Sequence, residues 1–203
     1  MLLVVGLLVG AALGVGGTLA VTGGLLSSEP DGVTLPATLG GMRPHSEVAA
    51  DQDGPAEFAA LREEAVAEVA DGLSAAHDGA AAAGQVYMSD DLAETVTVYA
   101  VAAEAPGLWS SEDSLAAAET MGIATPMAWV ETDGEAQCLV RQREFGPLLQ
   151  EGETPSRDVE NVVVSMCQEV RDGVTVLVEA HGEVPLPRGL ELVREAADQV
   201  QVD

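Results

Sequence analysis

Hydrophobic positions divide the 203-residue chain into one unbroken apolar run and a longer region where they alternate with charge. From Leu2 to Leu26 the chain carries no charged residue. A helix rises about 1.5 Å per residue, so roughly 20 apolar residues match a hydrocarbon core of about 30 Å. The run therefore predicts a single transmembrane helix over 1–26. In lipid the backbone has no other hydrogen-bond partner, so Gly6, Gly10, Gly14, Gly16 and Gly17 do not argue against helix. A cleaved signal peptide is the alternative reading, but no Lys or Arg precedes the run, the run is too long, and Thr18-Leu19-Ala20 is only a fair cleavage match. Residues 27–55, rich in Ser, Pro, Gly and Asp, read as a juxtamembrane linker. Within them Val33 to Met42 is apolar enough to dock on the domain that follows.

Residues 56–203 alternate between helical and strand periods. Phe58, Leu61, Ala65, Val69 and Leu73 recur at three- and four-residue steps and predict a helix over 56–76 with that stripe facing inward. Gln85–Met88 and Thr95–Val101 read as strands on either side of a Ser89-Asp90-Asp91 turn, and Pro106-Gly107 ends the pair. Glu112–Met121 predicts a short helix capped by Ser110 or Ser111. Two Asp-Gly dipeptides then mark hairpins, because a type I′ turn needs positive φ at both central residues. A turn at Asp133-Gly134 would place Trp129 opposite Cys138 and Met127 opposite Val140. One at Asp172-Gly173 would place Cys167 opposite Val178. Between them Phe145–Glu160 reads as an acidic loop. After Pro185-Leu186-Pro187 a last helix runs to about Val200, with Leu190, Val193, Ala197 and Val200 on one stripe. This order predicts an α+β domain with an antiparallel sheet and helices on one face.

Charge sharpens the picture. The 34 acidic and 8 basic residues all lie beyond the apolar run, giving the soluble part a formal charge of −26. Such a field repels phosphates, which excludes nucleic acid as a partner and leaves cationic or neutral partners at the envelope. A dispersed carboxylate surface also keeps an Ala- and Val-rich domain soluble, and adaptation to high salt is a further reading. For orientation the positive-inside rule has only Arg43 to count, after Glu29 and Asp31, and an outside location for 27–203 is favoured. Gly6, Gly10 and Gly14 form a small-residue stripe of the kind found where transmembrane helices pack.

Cys138 and Cys167 are the only cysteines, and in an oxidising compartment an isolated pair reads as one disulfide. His45, His77 and His181 are not spaced for zinc, and no C-x-x-C is present. Asp51-Gln52-Asp53-Gly54 and Ser89-Asp90-Asp91 lack the ligand spacing of a calcium loop. No hydrolase, Walker or dinucleotide signature occurs, so no catalytic, cofactor or metal residue is assigned. Trp109 is expected to close the core under its loop rather than to stand out as an anchor for a partner.

An N-terminal span, then Leu35-Pro36-Ala37-Thr38-Leu39-Gly40-Gly41, an Ala-rich helix, strands and the late pair Cys138/Cys167 together resemble single-pass, membrane-anchored extracytoplasmic proteins of actinobacteria. That resemblance implies layout and location rather than chemistry. The chain reads as a non-enzymatic binding, sensing or envelope-interaction module. An enzyme with an unrecognised site near His181 or His77, and a structural subunit packed through the glycine stripe, are the alternatives.

Overall fold

Runs of β-branched residues set at period two, separated by turns that accept positive φ, build most of this domain. The computed structural model describes residues 32–52, 56–110, 115–144, 147–157 and 161–203. Leu2–Leu26 lies outside the described residues, among which no helix is long and apolar enough to cross a membrane. In chain order the elements are β1 (Val33–Thr34), β2 (Arg43–Pro44), α1 (His45–Asp51), α2 (Ala56–Ala76), β3 (Ala82–Met88), β4 (Thr95–Val101), α3 (Leu115–Met121), β5 (Ala128–Asp133), β6 (Ala136–Gln142), β7 (Val162–Arg171), β8 (Val174–His181), α4 (Leu186–Gln199) and β9 (Gln201–Val202). The fold is α+β. Seven strands form one antiparallel sheet in the order β2-β3-β4-β8-β7-β6-β5, while β1 and β9 pair separately.

The two faces of the sheet are covered differently. On the first face Tyr87, Val96, Val98, Ala100, Val176, Val178, Val164 and Trp129 pack with Leu192, Val193 and Ala196 of α4. At about 25 cal/mol per Å² of apolar surface, this continuous face is the main source of stability. The Val33–Met42 segment crosses it and contributes Leu39 and Met42, both fully buried, so the expected docking is observed. The Tyr87 hydroxyl donates to the Pro36 carbonyl at 2.5 Å. Arg188 of α4 pins the same segment and the β3–β4 turn, donating to the Gly40 carbonyl at 2.6 Å and to both Glu94 oxygens at 3.1 Å.

Helix α2 lies on the second face, over β3 and β4, where Val66 packs with Val86 and Tyr99. Helices thus occupy both faces, not one as expected. Most of the predicted stripe of α2 is also turned outward: Phe58, Leu61 and Val69 are exposed and Leu73 alone packs on the sheet, while Ala59, Val66 and Ala70 are buried. The reason is Gly84 on β3, where a Cβ would stand 2.5 Å from a Val66 methyl. A helix seated that close needs its small residues inward, which an apolar count cannot reveal.

Hairpin chemistry set one register and misled on the other. Asp172 and Gly173 both have positive φ, as a type I′ turn requires, and Cys167 faces Val178 as predicted. In the β5–β6 hairpin only Gly134 has positive φ, and Asp133 pairs with Ala136. Glycine therefore takes the first central position, the type II′ requirement, and the turn is Gly134-Glu135. Trp129 consequently faces Val140, and Cys138 faces Glu131, two residues from the expected partners. The parity is unchanged, so Trp129 and Cys138 still share the buried face. Strand β3 begins at Ala82, earlier than predicted, because Ala82–Gly84 lacks branched residues to mark it. Of the expected helix over Glu112–Met121, Leu115–Met121 is described, and its first residues with the cap candidate Ser111 lie outside the described residues.

Candidate functional site

Cys138 and Cys167 are directly opposed on neighbouring strands β6 and β7, with Cα atoms 4.0 Å apart, and they form a disulfide. It joins the two hairpins within the sheet. Both cysteines are fully buried beneath α4, whose Gly189 backbone lies against Val164 and the Cys167 sulfur. Disulfides of this structural kind form and persist in oxidising compartments, which points to an extracytoplasmic location.

The polar groups singled out in the sequence are occupied locally. His181 Nε2 lies 2.7 Å from the Thr97 hydroxyl on the adjacent strand. Burial pushes the His181 pKa down, Glu179 opposes that shift and Arg62 reinforces it. His45 is lowered by burial and Arg62, against Glu63. His77 directly follows α2, its amide bonded to the carbonyls of Leu73 and Ser74. The Ser89 hydroxyl donates to Asp91 at 2.7 Å, and Asp91 accepts the Ala93 amide, so this stretch holds a turn together. Asp90 and Asp51 both pair with Arg43, at 2.7 and 2.9 Å. Asp53 lies outside the described residues, among which no three His, Cys, Asp or Glu side chains are grouped to hold a metal ion.

The more informative geometry lies on the second face of the sheet, beyond α2, and the sequence did not reveal it. After β4 the chain crosses β8, β7 and β6 as a strap held by one polar side chain from each. The Ala105 amide donates to Thr175, Gln168 donates to the Pro106 carbonyl, and the Leu108 amide donates to Gln137, at 2.8, 3.0 and 2.9 Å. Gln137 and Gln168 are cross-strand partners. Trp109 follows at once and is 78 % exposed, contrary to expectation. The strap meets the sheet through its backbone, so the Trp109 ring is not needed to seal it.

The strap covers only the end of the sheet that carries the Gly134-Glu135 and Asp172-Gly173 turns. Towards the other end, the same face of β5, β6 and β7 forms a groove of about 320 Å³ lined by Met127, Ala128, Leu139, Arg141, Arg143 and Ser165, together with Gln142 and Glu144. Ala128 pairs with Arg141, and Val130 with Leu139, so alternation sends Leu139 and Arg141 to this face. Arg143 leans on Glu183 at 3.6 Å. Arg43, Arg171, Arg188 and Arg194 each meet a carboxylate elsewhere. Arg141, among the described residues, meets none. Arg62 likewise forms no ion pair among the described residues, but Arg141 is the exposed one and lines a groove with an apolar wall, on a chain of charge −26.

No protein-family model, curated protein or solved structure matches this chain.

Proposed function

We propose that this chain is a binding module outside the cytoplasm, tethered to a membrane by residues 2–26, which receives its ligand in the groove over β5–β7. The observation that carries this reading is the position and lining of that groove. The tether would enter at β1, which pairs with β9, and Val202 of β9 shares a cavity with Arg171, Asp172 and Val174 at the turn end of the sheet. The groove opens on the opposite face and towards the opposite end. On β7, Val163 pairs with Arg141 of the groove and Arg171 lines the turn-end cavity. At about 3.3 Å per residue those two positions stand roughly 25 Å apart along the strand. In this reading the site faces away from the bilayer and is accessible to envelope components. Its apolar wall beside Arg141, which meets no carboxylate among the described residues, also revises the expected partner, from cationic or neutral towards one bearing a negative group.

The tether is tested by the intact mass of the membrane-extracted, non-reduced protein. The reading expects the complete chain, two hydrogens lighter for the disulfide. A mature form lacking about the first 20 residues would remove the tether. The binding role is tested by hydrogen exchange of the membrane-held chain with and without envelope extract. Protection confined to β5–β7 is expected, and protection elsewhere alone would overturn the site.

A further inference from the structure

We infer that the groove takes a monomeric amphiphile with one acidic head group, a carboxylate or phosphate held by Arg141 with its apolar arm against Met127, Ala128 and Leu139; this rests on the groove being the binding site. The lining divides the ligand's chemistry into two parts. Met127 and Leu139 offer flexible and branched aliphatic surface, and Ala128 on the same lining takes up little space. At about 30 Å³ per small group, 320 Å³ accommodates about ten heavy atoms. That is an alkyl or ring-bearing acid, and too little for a folded peptide segment.

The polar end is set by Arg141. Its guanidinium offers a planar fork of N–H donors that matches a carboxylate or phosphate in a bidentate way. Unlike Arg43, Arg171, Arg188 and Arg194, it is not already neutralised by a carboxylate of the chain among the described residues. Ser165 supplies a hydroxyl on the same lining, and Arg143, held by Glu183 at only 3.6 Å, adds positive potential. Glu144, on the same lining, disfavours a second negative group, so one acid is preferred to two. The net charge of −26 opposes an anionic bilayer or polyanion far more than a molecule with a single acid group, so the ligand is small and taken one molecule at a time.

The test uses the full chain in phosphatidylcholine nanodiscs with [13C]methyl-methionine, the Met127 signal being assigned from Met127→Leu. Octanoate, octyl phosphate, octanol and octyltrimethylammonium are titrated separately. Octanoate or octyl phosphate should shift the Met127 methyl saturably, and whichever binds more tightly identifies the head group. Octanol should bind about tenfold more weakly, and Arg141→Gln should weaken the acids by about tenfold while leaving octanol unchanged. If octanol and the acids bind equally and Arg141→Gln changes nothing, acid selectivity is overturned while the groove survives as a site. If none of the four probes moves Met127, the groove reading falls as well.

Discussion

The same substitution, glycine to alanine, should change stability in opposite directions at two helical positions of this domain. In a helix interior, alanine is favoured over glycine by about 0.5–1 kcal/mol, because glycine loses more backbone freedom on folding. At Gly72 in α2 a Cβ would meet nothing within 4 Å. Gly72→Ala should therefore stabilise by about that amount. At Gly189 in α4 a Cβ would stand 2.7 Å from a Val164 methyl and 3.0 Å from the Cys167 sulfur. Carbon atoms rest at about 3.5–4.0 Å, so close to 1 Å of overlap must be relieved. Neither neighbour yields readily: Val164 is β-branched and restricted at χ1, and Cys167 is tied to Cys138. Helix α4 must lift from the sheet instead. Overpacking of this kind costs about 1–3 kcal/mol, which exceeds the helix-propensity gain. Urea unfolding should give Gly189→Ala a lower midpoint and Gly72→Ala a higher one, with slopes equal to that of the parent. A Gly189→Ala protein as stable as the parent would show that α4 does not bear on the disulfide as closely as this geometry requires.

Two further outcomes follow from the same contacts. The disulfide closes a loop of sequence separation 29, which in the chain-entropy model contributes about 3–4 kcal/mol. Cys138→Ala with Cys167→Ala, or reduction of the parent, should lower the urea midpoint accordingly; a midpoint unmoved by dithiothreitol would refute this. His45 and His181 have folded pKa values below the ordinary 6.5, so the unfolded chain binds more protons below that point. Their contribution should be complete above pH 6.5 and diminish as pH falls through 6.5 towards the folded values. Replacing both with Gln should flatten the decline in urea midpoint between pH 7.5 and 5.5, and an unchanged slope would place the titration elsewhere.

Much of the architecture is decided locally, and this is why the chain could be read. Thr95–Val101 and Val162–Arg171 are β by branching and period, and Asp172-Gly173 fixes a register because few residue pairs accept two positive φ angles. Paired cysteines on neighbouring hairpins sufficed to indicate a disulfide. The outward turn of α2 was not legible, because Phe58 and Leu61 outrank Ala59 and Ala70 on any hydrophobic count. The decisive residue, Gly84, lies on another element. Trp109 was misplaced for a similar reason: the strap before it is held by Thr175, Gln168 and Gln137, which are distant in sequence and carry no motif.

By itself the sequence determined the apolar run of Leu2–Leu26, the strand-rich α+β composition of the rest and the cysteine pairing, since each depends on neighbouring residues or on the count of a rare type. Tertiary structure alone decided which face each helix covers and that Arg141, beside Met127 and Leu139, meets no carboxylate among the described residues. Those outcomes depend on how closely separate elements approach and on which charges they bring together, and neither quantity is written in any single segment of the chain.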